Sequence, residues 1–173
     1  VRRSGANNLN DIAKDHPALV ITTAQDWIGE NAEIDWVVKH GCRTLLKAGN
    51  LEVMKLFGYG SIEQIVVKNF KILNENVTLG EYLNFEFEIE NGNKQKTKIR
   101  LEYAVYFMKK NGELSKKVFK ISEKEYEPNS SLVIKRRQHF KPITTRVYYA
   151  GLHQIALIIN GIEQEKHSFY LSL

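Results

Sequence analysis

The sequence predicts a two-domain α + β chain, with helices over residues 1–60 and an all-β sandwich over residues 61–173. The spacing of the apolar residues changes near Ile62, from intervals of three and four to strict alternation. Composition changes as well, because all four aspartates and both tryptophans lie in the first 36 residues. A chain of 173 residues is long enough for two small domains.

Helical periodicity defines the first part. Ala6, Leu9 and Ala13 form one apolar face of a first helix, and proline in Asp15-His16-Pro17 suits the start of a second. Leu19 and Trp27 are predicted to lie on the buried side of the second helix. Four segments are predicted: a helix up to Asp15, a helix from Pro17 to Gly29, an unbroken helix from Glu33 to Ala48, and a short turn from Leu51 to Phe57.

Helices of this length joined by tight turns are typical of an α-solenoid repeat. About three or more repeats are usually needed to bury a continuous core, and the chain opens at Val1 inside a predicted helix. We therefore expect the helices to be the C-terminal part of a longer solenoid. Trp27 and Trp36 can stack on a base, but their spacing favours packing in the core.

Alternation of apolar and polar residues defines the second part. Leu83, Phe85, Phe87 and Ile89 alternate with polar residues, as in a half-buried strand. Seven strands are predicted, over residues 65–73, 83–90, 99–107, 114–122, 132–138, 152–159 and 167–173. Many short strands with frequent turn signals are typical of an immunoglobulin-like sandwich.

Three Asn-Gly pairs, at Asn91, Asn111 and Asn160, separate apolar runs of the second part. Each pair predicts a hairpin, because both residues tolerate positive φ.

Charge and cysteine content restrict the partners and the compartment. The helical part is electrically neutral, so the net charge of +5 arises in residues 61–173. A pI near 9.2 is compatible with a nucleic-acid partner, although many soluble proteins share it. The single cysteine, Cys42, excludes an internal disulfide and favours a reducing compartment, so we expect a cytoplasmic protein.

Several functional classes lack their sequence signals. No stretch approaches the ~18 apolar residues of a spanning helix, so no membrane partner is expected. There is no metal-ligand spacing, phosphate-binding glycine loop or Ser/His/Asp set, so no metal and no cofactor are expected.

Two helical segments resemble the HEAT-like repeats of the AlkC and AlkD DNA glycosylases. These are residues 1–12 with Lys14-Asp15-His16-Pro17, and residues 35–46. Tyr148-Tyr149-Ala150-Gly151-Leu152-His153, running on to residues 158–161, is similar to the end of the immunoglobulin-like domain that many AlkC proteins carry and AlkD lacks. The resemblance covers most of the chain.

The resemblance implies the C-terminal part of a bacterial glycosylase that excises cationic alkylated bases, chiefly 3-methyladenine. The implied partner is double-stranded DNA with alkylated bases, bound by a monomer on a concave, basic surface of the repeats. The sandwich would approach the duplex from the side of the lesion. Repeats that are absent here would carry another catalytic carboxylate, so this chain alone is expected to be inactive.

Asp11 is the candidate catalytic residue. Arg3, Asn7 and Asp11 lie at spacings of four and share one helix face. A cationic alkylated purine departs as a neutral base, so the enzyme needs a negative group against the developing oxocarbenium sugar and a placed water. The alternative is a solvated aspartate near a helix end. The resemblance strengthens the catalytic interpretation.

Most of the candidate DNA-binding residues lie in the helical part: Arg2, Arg3, Asn7, Asn8, Lys39, His40, Arg43 and Lys47. Arg2 and Arg3 open the repeat where the resembling family holds phosphates, and a guanidinium suits bidentate phosphate contacts. Lys39, Arg43 and Lys47 predict a basic stripe at spacings of four, which His40 would join. Solvated helix surfaces are the alternative for both groups.

Arg136 and Arg137 are the candidate DNA-binding residues of the sandwich. They lie in the densest basic run, residues 135–141, with Arg146 shortly after. The run suits a loop that contacts a DNA groove, or an edge strand that its charges protect against aggregation. Glu123, with the alternate glutamates that follow it, is predicted to form a solvated strand face.

Three functional classes therefore remain open. The first is a DNA glycosylase, the second a non-catalytic DNA-binding protein with the same basic surfaces, and the third a protein-interaction scaffold. Salt-dependent duplex binding would separate the scaffold from the other two.

Overall fold

The structure is a computed structural model that describes residues 2–173. The chain divides into two compact units. The helical unit contains the residues up to Gly60 together with Asn160–Ile162, and the β unit contains Ser61–Ile159 and Glu163–Leu173.

Five helices form most of the helical unit: α1 (Arg2–Asp15), α2 (Pro17–Trp27), α3 (Ala32–Gly41), α4 (Arg43–Lys47) and α5 (Leu51–Leu56). Pro17 lies in the first turn of α2, as predicted. Asn31 begins α3, since its side-chain oxygen accepts hydrogen bonds from the backbone N–H groups of Glu33 and Ile34, both at 3.0 Å. Such a cap satisfies donors that the first helical turn leaves unpaired.

The third predicted helix is not continuous. It is broken at Cys42, between α3 and α4. In an unbroken α-helix the backbone N–H of Thr44 would bind the carbonyl of His40. Instead Thr44 donates its backbone N–H at 3.2 Å and its hydroxyl at 2.8 Å to the side-chain oxygen of Asn10. The guanidinium of Arg43 donates to the His40 carbonyl at 2.8 Å. Side chains thus replace the hydrogen bond that sequence periodicity predicted.

The apolar stripe of α2 is wider than the surface that packs against it. Val20, Ile21 and Ala24 are buried, but Leu19 and Trp27 are 60 % and 44 % exposed. The prediction that Leu19 and Trp27 are buried was therefore wrong. These two side chains lie at the edge of the apolar face, which the neighbouring helices leave in solvent.

Eight strands form two sheets in the β unit: β1 (Ile65–Ile72), β2 (Asn76–Thr78), β3 (Tyr82–Asn91), β4 (Thr97–Met108), β5 (Leu114–Tyr126), β6 (Ser130–His139), β7 (Gly151–Ile159) and β8 (Ile162–Ser172). The three-stranded sheet has the order β1-β3-β6 and the five-stranded sheet β2-β8-β7-β4-β5. Their apolar faces form one core, in which Phe85, Phe87, Leu101 and Phe169 are fully buried.

All seven predicted strands are present, with shifted ends. β5 continues to Tyr126 and β8 begins at Ile162, because charged residues at those ends mask the apolar alternation. The additional strand, β2, has three residues and pairs in parallel with β8. It is too short to produce an alternating pattern.

Only two of the three Asn-Gly pairs form hairpins. Asn160-Gly161 has positive φ at both residues, 45° and 81°, and joins the neighbouring strands β7 and β8. Asn111-Gly112 joins the paired strands β4 and β5, with positive φ at Gly112 alone. Asn91-Gly92 lies between β3 and β4, which belong to different sheets, so the hairpin prediction was wrong there. The buried Asn91 side chain instead donates to the carbonyls of Tyr126 and Glu127.

Candidate nucleic-acid interface

Polar, cationic and aromatic side chains meet along one side of α1, on a surface that we call the α1 face. It consists of Arg3, Asn7 and Asp11 of α1 with Trp36 and His40 of α3 and Arg43 of α4. Arg3 and Trp36 line one cleft, and His40 Nε2 lies 3.3 Å from Asn7 Oδ1. Further along, the charge of Arg43 acts on the carboxylate of Asp11. The side chains of α1 therefore lie opposite those of α3 and α4, in the same order along the chain.

Asp11 is exposed and ionised. Its Oδ1 accepts a hydrogen bond from the Lys14 ammonium at 2.7 Å, within an exposed ion pair. That hydrogen bond and the Lys14 charge, with a smaller contribution from Arg43, hold the pKa of Asp11 below its usual value of 3.8. Asp11 thus presents a carboxylate anion that is paired with the Lys14 ammonium. In open water that charge is strongly screened, so it acts effectively only where a ligand excludes solvent.

His40 supports its neighbours rather than adding a cation. Because Asn7 Oδ1 can only accept, His40 donates from Nε2. Partial burial, followed by the charges of Arg43 and Arg3, lowers the pKa of His40 below 6.5. The imidazole is therefore neutral at pH 7, and it contributes hydrogen bonding and stacking to the predicted basic stripe, not charge.

Trp36 is an exposed member of the α1 face. Its side chain is 48 % exposed, so the predicted packing in the core was wrong. One face of the indole stacks on His40, with ring centroids 4.9 Å apart and 8° between the planes. The spacing of four residues between Trp36 and His40 was the sequence signal for this contact.

Arg2 and Arg3 lie at the start of α1 and are both exposed. Together with Trp36 they line an open cleft of 370 Å³. The Arg2 guanidinium forms an ion pair with Glu33 at 2.6 Å. Exposed ion pairs contribute only about 0–1 kcal/mol, so a phosphate can displace this one at small cost. Asn8 is exposed on the same helix, one residue beyond the face that Asn7 occupies.

The predicted basic stripe of Lys39, Arg43 and Lys47 is interrupted. Arg43, after the break between α3 and α4, donates to the His40 carbonyl and its charge acts on Asp11. The Lys39 ammonium instead lies over the rings of Phe57 and Tyr59, 5.8 and 5.9 Å from their centroids. Lys47 is exposed at the end of α4. The stripe prediction was therefore wrong in its geometry, because it assumed one continuous helix.

The basic run of the sandwich lies on a strand rather than in a loop. Arg136 and Arg137 belong to β6, an edge strand of the three-stranded sheet, and Phe140 after it is fully buried. The prediction that Arg136 and Arg137 lie in a loop was wrong. They lie on an edge strand, which was the alternative interpretation. Lysines and arginines on an edge strand oppose pairing with another chain.

Tyr82 holds two of the basic-run side chains in place. The Arg137 guanidinium lies 4.5 Å from the centroid of the Tyr82 ring, and His139 stacks on the same ring at 4.2 Å. Arg136 and Arg137 also border a cleft of 410 Å³. Stacking keeps the planar guanidinium of Arg137 in one orientation, which suits bidentate recognition of an oxyanion.

A buried ionic cluster in the β unit was not predicted. Arg100 Nη2 lies 2.6 Å from Glu102 Oε1, and its Nη1 lies 3.4 Å from Glu123 Oε2. Only 11 % of the Glu123 side chain is exposed, so its placement on a solvated strand face was wrong. The sequence signal that could have revealed this cluster is the pair of charged residues Arg100 and Glu102, two residues apart in a strand that is otherwise mostly apolar. The cluster belongs to the interior and not to a binding surface.

Within residues 2–173, no three His, Cys, Asp or Glu side chains are grouped so as to hold a metal ion. No helix of that same range has the length and apolar character needed to cross a membrane.

Fold and surface together define a helical unit with a cationic, aromatic face, followed in sequence by an immunoglobulin-like sandwich. The chain belongs to the family described as "Uncharacterised protein YhaZ, C-terminal Ig-like domain", whose model matches residues 66–173. It is 41 % identical over 169 residues to the YhaZ protein of Bacillus subtilis (strain 168). That match covers 98 % of this chain and 47 % of YhaZ.

Among solved structures, the chain is similar to the alkylpurine DNA glycosylase AlkC of Pseudomonas fluorescens, bound to DNA containing an abasic site analog. The TM-score is 0.94 and the identity 32 %, over 99 % of this chain and 48 % of AlkC. A Listeria innocua β-glucosidase shares 15 % identity over 67 % of the chain and 17 % of its own length, with a TM-score of 0.54, which shows the fold alone.

The chain thus spans about half the length of YhaZ and of AlkC. The AlkC match agrees with the resemblance that the sequence predicted, over the helices as well as the sandwich.

Proposed function

We propose that the chain is the C-terminal part of a DNA repair glycosylase of the AlkC kind. The observation that carries this proposal is the likeness to AlkC, a DNA glycosylase solved with DNA, over 99 % of the chain at 32 % identity. The proposed substrate is double-stranded DNA with cationic alkylated bases, chiefly 3-methyladenine. The proposed reaction is hydrolysis of the N-glycosidic bond during base excision repair.

Asp11 is the carboxylate that we propose for this chemistry. As the cationic base leaves in neutral form, positive charge develops on the sugar, and an ionised carboxylate stabilises it and orients a water. The lowered pKa of Asp11 keeps it ionised at neutral pH. Bound DNA would exclude water from around Asp11, which is exposed in the free chain.

The cations around Asp11 are proposed to hold the DNA backbone. The charge of Arg43, on α4, acts on the carboxylate of Asp11, and Arg2 and Arg3 lie at the start of α1. Exposed Lys47 would add a contact beyond α4, and Arg137, oriented by Tyr82, would add one from the sandwich. Each phosphate contact releases counterions, so binding should weaken as salt increases.

The domain assignment forms part of the proposal. Residues 1–60 are proposed as the C-terminal repeats of a HEAT-like solenoid, and residues 61–173 as an immunoglobulin-like domain. The protein is proposed to act as a monomer in the bacterial cytoplasm, at the nucleoid. No cofactor is required, because the alkylated base is already a good leaving group.

Release of free base from methylated duplex DNA tests the proposal. The full-length protein is expected to release the base, and this chain alone is expected to release none. Excision by neither, under conditions in which another alkylpurine glycosylase is active, would refute the glycosylase function.

A non-catalytic DNA-binding role is the second candidate, and the exposed ion pair between Asp11 and Lys14 favours it. Such a pair can simply stabilise the end of a helix. Asp11→Asn in the full-length protein separates the two roles. Lost excision with retained duplex binding supports catalysis, whereas retained excision assigns Asp11 to helix stability.

A further inference from the structure

The start of the helical unit combines an exposed indole with two guanidinium groups. His40 covers one face of Trp36, and the exposed part of the ring borders the cleft that Arg2 and Arg3 also line. The cleft volume of 370 Å³ lies within the range of small-ligand sites, about 300–1,000 Å³.

The stack is fixed by its own contacts. Asn7 accepts a hydrogen bond from His40, and His40 lies parallel to Trp36, so the indole is supported from behind. A supported aromatic ring has less freedom to lose when a second planar group stacks on it. Neither the carboxylate chemistry proposed for Asp11 nor a phosphate contact requires such a ring.

We propose that this cleft binds an unpaired nucleotide of single-stranded DNA, whose base stacks on Trp36 and whose phosphate accepts hydrogen bonds from Arg3. The inference rests on the proposed function, because that function makes DNA the ligand. Stacking on an aromatic side chain is available to every base, so the site reads no sequence. A base within a duplex has its faces covered by neighbouring bases, so only an unpaired base presents a free face.

The two arginines have different roles in this site. Arg2 is held by Glu33 at 2.6 Å, which directs its guanidinium toward α3. Arg3 lies near enough to His40 for its charge to lower the pKa of that imidazole, so it stands beside the stack. Arg3 is therefore the first phosphate-binding residue of this site, and Arg2, paired with Glu33, borders the same cleft.

The site is separate from the proposed reacting position. Arg3 and Asp11 are eight residues apart on α1, a separation of about 12 Å at 1.5 Å per residue. Trp36 thus holds an unpaired nucleotide away from the proposed reacting position, as a positioning residue and not a catalytic one.

Tryptophan fluorescence tests the site directly. The chain has two tryptophans, so Trp27→Phe leaves Trp36 as the single emitter. The probes are a deoxythymidylate octamer and an abasic tetrahydrofuran octamer with the same phosphodiester backbone. We expect the deoxythymidylate octamer to quench the emission and to bind about tenfold more tightly than the abasic one. Equal affinities without quenching would overturn the proposal.

Substitutions in the same background identify the contacts. Both Trp36 variants lack tryptophan in this background, so their binding is measured by the anisotropy of labelled octamers. Trp36→Ala should abolish the tenfold preference, and Trp36→Phe should retain most of it with an unchanged circular dichroism spectrum. Arg3→Gln should weaken binding and reduce the salt slope by about 0.7. Lys55→Gln removes the same charge from an exposed position on α5 and should change neither. A preference that survives Trp36→Ala would place the base elsewhere and overturn the assignment.

Duplex binding, measured on the same samples by anisotropy, separates this inference from the proposed function. A duplex that binds with salt dependence, while the two octamers bind alike, overturns the Trp36 site and leaves the proposed function standing. Failure to bind any of the three DNAs overturns both.

Discussion

The side chain of Asn10 bonds to Thr44 across 34 residues and takes the place of a helical hydrogen bond. Asn10 is 3 % exposed, and its oxygen accepts both the backbone N–H and the hydroxyl of Thr44. This contact joins α1 to α4 at the break after α3. It therefore fixes the position of α4, from which the charge of Arg43 acts on the carboxylate of Asp11.

Removing the Asn10 side chain should destabilise the helical unit. In Asn10→Ala the N–H and hydroxyl of half-buried Thr44 lose their acceptor, at a cost of about 1–3 kcal/mol in the free energy of unfolding. Urea denaturation measures the change. Asn8→Ala, at an exposed position on the same helix, is the matched control and should stay within about 0.5 kcal/mol of the parent. Equal losses in both variants would deny Asn10 this role.

The buried ionic cluster of the β unit should show strong coupling. Arg100→Met leaves Glu102 buried without its cation, and breaking a buried pair in this way costs about 3–5 kcal/mol. Arg100→Met with Glu102→Met removes the uncompensated charge and should recover much of that loss. Urea denaturation of both variants decides the matter. Additive losses would show that the two side chains are not coupled.

Stability should decrease at mildly acidic pH because of His153. Its Nδ1 accepts the backbone N–H of Met108 at 3.2 Å, and its Nε2 donates to the Tyr149 carbonyl at 3.0 Å, so the buried ring is satisfied in its neutral form. Burial lowers the pKa of His153 below 6.5. As pH falls below about 6.5, the unfolded chain binds a proton that the folded chain does not, and the free energy of unfolding decreases.

Urea midpoints between pH 7.5 and pH 5 would measure this dependence, with His153→Gln as the test variant and exposed His16→Gln as its control. A pH slope that His153→Gln leaves unchanged would assign the dependence to other groups. The chosen interval of about pH 5–7.5 brackets the ordinary histidine pKa.

Sequence periodicity predicted the helices and strands correctly where the buried residues repeat with a single period. β3 alternates without interruption, and Leu83, Phe85 and Phe87 are all buried as predicted. The same reasoning failed at Cys42, because long-range side-chain contacts supply the hydrogen bonds there. Local periodicity contains no information about a partner 34 residues away.

Part of the candidate site could be predicted, because helical spacing determines which residues of one helix share a face. Arg3, Asn7 and Asp11 do share one face of α1, which helical spacing alone determines. The exposure of Trp36 could not be predicted, since it depends on which surface α1 and α2 cover. Likewise Asn91-Gly92 carries a strong local turn signal, but strand pairing across two sheets decides its role.

The break between α3 and α4 gives Arg43 and Lys39 different expected effects on DNA binding. Arg43 lies on the α1 face beside Asp11, whereas the Lys39 ammonium is engaged with the rings of Phe57 and Tyr59. Arg43→Gln should weaken duplex binding and reduce the salt slope by about 1, the value expected for one lost phosphate contact.

Lys39→Gln removes the same charge four residues earlier and is the matched comparison for Arg43→Gln. It should leave the salt slope nearly unchanged, because the ammonium lies over the rings of Phe57 and Tyr59, which are not part of the α1 face. Anisotropy titrations of a duplex at several salt concentrations measure both slopes. Equal reductions of the salt slope would mean that Arg43 and Lys39 both contact phosphates, as they would on one unbroken helix. The break between α3 and α4 would then have no effect on binding.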